Sequence, residues 1–188
     1  MRENSSIWSD PPLPEEYSRI THPERFRPLH TRALVLLEQL HVEYEVARTE
    51  TFDALPTMSP FDHERAPISL TPIAATAAPI AVAFTPFPSL ILRFGRWLSE
   101  PFPACPCDAC AATADSEWER FETIVWSVVH GGLSEQLSLP LLRSPRLSWS
   151  FGSGAGWSKL PRALGQALGS RGWGRIRWQP WSRRLPSA

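Results

Sequence analysis

Proline is the feature that most limits how this chain can fold. The 188 residues include 20 prolines, which cluster at residues 10–14 and again from Pro56 to Pro106. Proline has no N–H to donate and its ring clashes with the preceding turn, so no long helix can run through these stretches. We therefore expect the middle of the chain to consist of strands and loops.

Three short apolar runs between these prolines predict an antiparallel β-meander. Residues 67–71, 80–85 and 89–94 are rich in Ile, Val, Leu and Phe and are separated by proline or glycine. Their connections are too short for the crossover that parallel strands require. Gly95 permits a bend after the third run, whereas the polar residues 48–64 are interpreted as a long connection.

Two main helices are predicted, one before the meander in the sequence and one after it. Residues 28–46 carry an apolar stripe with helical spacing, formed by Leu29, Ala33, Leu36, Leu37, Leu40 and Tyr44. A capping box at residues 21–24 predicts a short helical turn before this helix. The second helix is expected to begin at an Asp115 cap and to end at Gly131-Gly132. Its predicted buried stripe comprises Trp118, Phe121, Ile124, Val125 and Val128.

The C-terminal part predicts a strand at residues 147–151, a short helix at 158–168 and a last strand at 173–178. The glycines at 152, 154 and 156 are interpreted as a flexible turn. This element order favours an α+β fold, with an antiparallel β-meander packed against two main helices, a short third helix and C-terminal strands. We expect residues 17–188 to form a single α+β domain and residues 1–16 to form an N-terminal arm.

The three cysteines, Cys105, Cys107 and Cys110, lie between the meander and the second helix. Three soft ligands within one turn of chain could hold a metal ion, with Zn²⁺ as the candidate cofactor. A structural zinc site requires a fourth ligand, and His130 is our candidate. The other side chains able to serve are Asp108, His22, His30 and His63. The alternatives are free thiols in a buried turn and a redox pair formed by Cys107 and Cys110.

No catalytic residues are assigned. Val129-His130-Gly131-Gly132 is similar to the oxyanion loop of some esterases, but no Gly-x-Ser-x-Gly elbow follows. The later glycines do not precede the Gly-Lys pair of a phosphate loop either. We therefore expect a small non-enzymatic protein with a cysteine knuckle that is structural or binds one metal ion. The alternative is an enzyme that uses a cysteine thiolate or a metal-bound water near Asp108 and His130.

The charges are unevenly distributed along the chain. All 19 acidic residues lie at or before Glu135 together with 10 of the 19 basic ones, so the chain carries −9 up to Gln136 and +9 thereafter. The basic part could bind nucleic acid, and the Trp/Arg sequence at residues 173–178 has the residue types of a stacking surface. The simpler interpretation is that the basic segments pack against the acidic body. We therefore do not expect nucleic acid as a partner and keep it as an alternative.

The sequence predicts a cytoplasmic protein without a membrane partner. Residues 1–10 are polar and contain no apolar central region. The longest weakly polar run, residues 73–84, is interrupted by Pro79 and is shorter than the ~20 residues of a membrane helix. In the cytoplasm the three thiols would stay reduced.

Four stretches carry a resemblance to a known family: residues 17–30, 79–88, 102–110 and 178–181. With these stretches the chain resembles an actinobacterial family of uncharacterised proteins, the domain of unknown function number 6226. The family pattern has a glycine where this chain has Pro106, and acidic residues where it has Ala111 and Ala112. The resemblance implies a compact single domain and carries no assigned activity.

Overall fold

The computed structural model describes residues 14–51, 63–138, 144–152, 154–159 and 174–185. It confirms the predicted α+β class: two main helices pack with two antiparallel sheets. None of the helices in the described ranges is long and apolar enough to cross a membrane. The predicted arm at residues 1–16 lies outside the described residues up to position 13, and residues Pro14–Tyr17 form a 3-10 turn.

The first sheet is the predicted three-stranded meander with one additional strand at each edge. Its five strands follow one another in sequence order, and every neighbouring pair is antiparallel. They are β1 (Val46–Glu50), β2 (Arg65–Pro72), β3 (Ile80–Phe84), β4 (Leu90–Phe94) and β5 (Leu98–Phe102). The interpretation of residues 48–64 as connection was wrong for β1, in which only Val46 is buried. A polar edge strand gives no apolar signal, because pairing with β2 alone holds it.

The second sheet has the strand order β8-β7-β6-β9 and is also antiparallel. Its strands are β6 (Ser134–Ser138), β7 (Arg146–Phe151), β8 (Gly154–Lys159) and β9 (Gly174–Arg177). The predicted strands at residues 147–151 and 173–178 correspond to β7 and β9, although Trp173 lies outside the described residues. The sequence did not indicate β6 or β8.

Two expectations for the region of β8 require correction. Gly154 and Gly156 belong to the strand, and only Gly152 takes the left-handed turn conformation. Glycine is required at 156 because a Cβ there would lie 2.7 Å from the ring of Trp149. The helix predicted at residues 158–168 is wrong at its start, since Ser158 and Lys159 end β8. The remainder of that helix lies outside the described residues.

The first helix, α1 (Pro28–Glu43), buries the predicted stripe against the core. It ends three residues earlier than expected because Tyr44 adopts an extended conformation that leads into β1. The predicted capping box at residues 21–24 does not form. Its region is a 3-10 turn, Pro23–Phe26, preceded by His22 without a side-chain cap, and Thr21 is engaged elsewhere.

The second helix, α2 (Ala114–Val129), is capped by Thr113 and not by Asp115. The Thr113 hydroxyl accepts from the Ser116 N–H, and the Ser116 hydroxyl accepts from the Thr113 N–H. Asp115 forms an ion pair with Arg32 of α1. The predicted buried residues of α2 are confirmed except for Trp118, which is half-buried and stacks on Phe121.

One hydrophobic core includes residues of both helices and both sheets. A buried carboxylate, Glu135 of β6, connects the two sheets by accepting from the backbone N–H groups of Arg96 and Trp97 at 2.9 Å. It also accepts from Trp178 Nε1 at 2.7 Å. Gly95 precedes this contact in a left-handed conformation, and a Cβ there would lie 2.3 Å from a Glu135 oxygen.

Candidate metal centre

The three cysteines lie in the loop between β5 and α2, which we call the cysteine knuckle (residues 105–110). Cys107 is extended and precedes a short 3-10 turn, Asp108–Cys110. The turn is closed by the Cys110 N–H, which donates to the Cys107 carbonyl at 3.2 Å. Ala111 then takes a left-handed conformation that redirects the chain towards α2. This backbone path points the three side chains towards one another.

The sulfur atoms converge. Cys107 Sγ lies 3.2 Å from Cys105 Sγ and 3.3 Å from Cys110 Sγ, and all three lie within 4.8 Å of one another. These distances exceed the ~2.05 Å of a disulfide bond, and the cysteines are free. Tetrahedral Zn²⁺ with ~2.3 Å bonds to sulfur would separate the sulfurs by about 3.5–4 Å. Shifts of a few tenths of an ångström at two contacts would therefore admit the ion.

The three thiols differ in exposure and acidity. Cys107 is buried, Cys105 is half-buried and Cys110 is exposed. Hydrogen bonds from the Cys107 backbone N–H and from the other two thiols lower the pKa of Cys105. The pKa of Cys110 is raised to about 12, because its thiol hydrogen-bonds to the sulfurs of Cys107 and Cys105 and stays protonated beside them. The cluster thus favours ionisation of Cys105 over that of Cys110.

A carboxylate within the knuckle is already occupied. Asp108 accepts from the Thr21 N–H, the Thr21 hydroxyl and Arg19 Nε, each at 2.9 Å. The Thr21 N–H, followed by the Arg19 guanidinium, lowers the pKa of Asp108 to about 2. Asp108 therefore holds the N-terminal segment and does not join the thiols as a ligand.

Two further contacts fix the knuckle to the same segment, residues 19–25, which we call the N-terminal clamp. The Asp108 N–H donates to the Arg19 carbonyl at 3.0 Å. Arg25 Nη2 donates to the Pro106 carbonyl at 3.0 Å, and its guanidinium lies over the ring of Phe26. Because Phe26 is fully buried, the clamp ties the knuckle to the core.

The opposite side of the knuckle is fixed to α2. The buried Glu117 carboxylate accepts from the Ala104 N–H at 3.3 Å and from Arg120 Nη2 at 2.9 Å. Arg120 also lies over the ring of Phe102, 3.9 Å from its centroid, and donates to the Pro101 carbonyl. The loop is therefore held at both ends by contacts within the protein.

The structure does not bring His130 to the thiols. His130 caps the C-terminal end of α2, where its ring stacks on Trp126. The 16 residues of α2 separate it by about 24 Å along the helix axis from the end that the knuckle precedes. Of the other candidates, His22 contacts Glu24 and His30 hydrogen-bonds to the Ser89 carbonyl. Within the described ranges, the group of close ligand atoms consists of the three thiols.

Sequence reasoning found the thiols and missed the clamp. Arg19 and Asp108 are 89 positions apart, and no local pattern pairs them. The sequence signal was indirect. Asp108 stands between two cysteines, and the segment before α1 contains Arg19, Thr21 and Arg25, which can donate hydrogen bonds to a carboxylate. The clamp nevertheless fixes one side of the knuckle, as α2 fixes the other.

Comparison with known proteins yields one match. The model of a family described as "Family of unknown function (DUF6226)" matches residues 4–185. No curated protein and no solved structure matches the chain.

Proposed function

The chain belongs to this family of unknown function (DUF6226), and from its cysteine knuckle we propose that the protein binds one Zn²⁺ ion through Cys105, Cys107 and Cys110. The ion stabilises the knuckle and the N-terminal clamp that rests on it, and the protein is not an enzyme.

The observation that carries this proposal is the convergence of the three sulfurs on a turn already fixed by other contacts. Thiols that serve only to pack need not face one another, whereas metal ligands must. Two separations of 3.2 and 3.3 Å support a common ion as the partner of all three. The lowered pKa of Cys105 favours the thiolate form that a metal ligand requires.

The surrounding charge suits the complex. Three thiolates around one divalent ion leave a net negative charge, which nearby cations stabilise. Arg25 reaches the Pro106 carbonyl within the knuckle, and its Nη1 lies 3.9 Å from an Asp108 oxygen. The N-terminal clamp thus contributes positive charge as well as hydrogen bonds.

The fourth coordination position is assigned to water or a small ligand from solution. No histidine or carboxylate within the described residues joins the three thiols, and Cys110 is exposed on the outer side of the cluster. A site with three protein ligands is more open than the four-ligand sites of most structural zinc proteins. We therefore expect a chelator to remove the ion without unfolding the protein.

Elemental analysis of protein purified without a histidine tag, under reducing conditions, tests the proposal. We expect one zinc per chain in the natural protein and none in Cys107→Ser. His130→Ala is the matched control and should keep its zinc, because its ring lies at the far end of α2. A metal ratio near zero with all three thiols reduced would refute the zinc proposal.

A second candidate, thiol chemistry at Cys105, is favoured by one observation, the lowered pKa of that thiol. A thiolate is the reactive form of cysteine, so alkylation of the metal-free protein across pH would measure its acidity. A Cys105 that reacts with a midpoint well below 8.5, in a protein that binds no zinc, would favour this candidate. A Cys105 that reacts slowly until zinc is removed would favour metal binding.

A further inference from the structure

The four strands of the second sheet present two faces of different character. The inner face contributes Leu137, Leu147 and the carboxylate of Glu135, all buried. The alternate residues point to the other side and are exposed or half-buried. We call this side the outer face of the second sheet.

The strand register arranges the outer face in three rows across the sheet. The first row is Arg177, Ser134, Ser150 and Ala155; the second is Arg175, Gln136, Ser148 and Trp157; the third is Ser138, Arg146 and Lys159. Residues that are directly opposite in antiparallel strands share a face, so these side chains lie together. Each row therefore ends in a cation, and the second row also ends in a tryptophan.

The outer face of the second sheet is positively charged. Arg146, Lys159, Arg175 and Arg177 are all exposed, and none of them pairs with a carboxylate of the described chain. Glu135 is the one acidic residue in the four strands, and it faces the core. The expectation that the basic segments pack against the acidic body holds for Arg184, which donates to the Tyr44 carbonyl. The four cations of the outer face do not follow this expectation.

Trp157 adds an aromatic ring to this charged face. It is 57% exposed, although a tryptophan of this size is normally largely buried. The guanidinium of Arg146 lies over the ring at 4.6 Å from its centroid. This contact fixes the ring on one side and leaves the exposed part available for stacking.

We propose that the outer face of the second sheet binds single-stranded nucleic acid, with phosphates on Arg146, Lys159, Arg175 and Arg177 and a base stacked on Trp157. The hydroxyl and amide groups of the middle strands supply further hydrogen-bond partners. From β8 to β9 the face spans three strand spacings, about 14 Å, which is enough for a short stretch of strand. Single strands fit better than duplexes because stacking on Trp157 requires an unpaired base. The outer face belongs to the second sheet, whereas the cysteines lie in the loop between β5 and α2. This proposal is therefore independent of zinc binding.

Fluorescence anisotropy with a 5′-labelled 20-nucleotide oligothymidylate tests the proposal. We expect binding at 20 mM salt, and a slope near −3 when the logarithm of affinity is plotted against that of salt concentration, at about 0.7 for each of four contacted phosphates. A 20-base-pair duplex should bind more weakly than the single strand at the same salt. Absence of binding at 20 mM salt would overturn the proposal, and so would tighter binding of the duplex.

Two sets of variants separate the charged contacts from stacking. Arg175→Gln with Arg177→Gln should reduce the magnitude of the salt slope by about 1.4. The matched control, Arg32→Gln with Arg48→Gln, removes the same charge from α1 and β1, which are not part of the second sheet, and should leave the slope unchanged. Equal effects of the two pairs would overturn the assignment of the site, because they would show a response to net charge alone.

Trp157→Ala should weaken binding by about 5- to 150-fold without changing the salt slope, and Trp157→Phe should restore most of the affinity. Vesicles containing phosphatidylserine provide the competing anionic surface. If they bind the protein as tightly as the oligonucleotide, and Trp157→Ala leaves oligonucleotide affinity unchanged, the nucleic-acid proposal fails. Circular dichroism of each variant confirms that the fold is intact.

Discussion

The cysteine knuckle and the outer face of the second sheet are built in opposite ways. In the knuckle, contacts from the N-terminal clamp and from α2 hold a short loop so that three sulfurs point inward to one centre. On the outer face, the sheet holds four cations apart along three rows, pointing outward. Convergent ligands suit a single small ion, whereas separated charges suit an extended anion. The two regions therefore call for different tests.

Zinc removal should have the largest effect on stability and should leave binding at the outer face unchanged. At free zinc 100 to 1,000 times the dissociation constant, binding adds about 2.7–4.1 kcal/mol to the free energy of unfolding. Addition of a chelator should therefore lower the melting temperature of the natural protein by roughly 5–16 °C. Cys107→Ser should melt at the lower temperature with or without chelator. If the chelator does not change the melting temperature of the natural protein, the claim that the knuckle is a zinc site fails.

Glu135→Gln tests the buried hydrogen bonds that connect the second sheet to the first, and it should have the next largest effect on stability. The Gln side chain brings an N–H donor to a position where the Glu135 carboxylate accepts from the N–H groups of Arg96, Trp97 and the Trp178 ring. Because one donor then faces another, we expect a loss of about 1–3 kcal/mol in the free energy of unfolding. Burial raises the pKa of Glu135 in the folded protein. Its protonation therefore adds stability below the unfolded pKa, and this contribution is lost as pH rises through the folded pKa. Urea titrations should show that the advantage of the natural protein over Glu135→Gln shrinks in that window.

Asp108→Asn should loosen the clamp while leaving the outer face unchanged. The pKa of Asp108 is lowered to about 2, so its contribution is present above the unfolded value near 3.9 and is lost as pH falls towards 2. The amide of Thr21, which donates to Asp108, should be less protected from hydrogen exchange in the variant. Asp115→Asn is the matched control, since Asp115 pairs with Arg32 away from the clamp. Equal protection of Thr21 in both variants would contradict the role assigned to Asp108.

Substitution on the outer face should change stability least. Arg175→Gln with Arg177→Gln removes exposed side chains without described partners, so the free energy of unfolding should change by less than about 0.5 kcal/mol. Its zinc content should equal that of the natural protein, and Cys107→Ser should bind the oligonucleotide within twofold of the natural affinity. Loss of zinc in the arginine variant, or of oligonucleotide binding in the cysteine variant, would show that the two regions are coupled.

The sequence predicted those parts of the fold that are encoded by local apolar patterns. All five residues of β3 are buried, and the stripe on α1 follows helical spacing, so both were recognisable. β6 and β8 were not, because Ser-Glu-Gln-Leu-Ser and a glycine-rich run have little strand propensity and are held by their neighbours in the sheet. At the start of α2, Thr113 and Asp115 were both suitable caps, and only the backbone conformation distinguishes them.

In the candidate metal centre, too, the sequence predicted the local motif and not the contacts between distant segments. Three cysteines within six residues identified the knuckle directly. The partners of Asp108 lie in a segment distant in sequence, so no spacing rule could have found the clamp. The position of His130 depends on the length and direction of α2, which places it at the end of the helix far from the thiols. The residue types of a stacking surface were recognisable in residues 173–178, and Arg175 and Arg177 are both exposed in β9.

X-ray absorption spectroscopy at the zinc edge tests the central claim most directly, because it reports the atoms bound to the ion. The account predicts a first shell of three sulfurs at about 2.3 Å and one oxygen or nitrogen at about 2.0–2.2 Å in the natural protein. Cys107→Ser should lose this shell. A first shell without sulfur, or with four sulfurs drawn from two chains, would contradict a zinc ion held by the three cysteines of one knuckle.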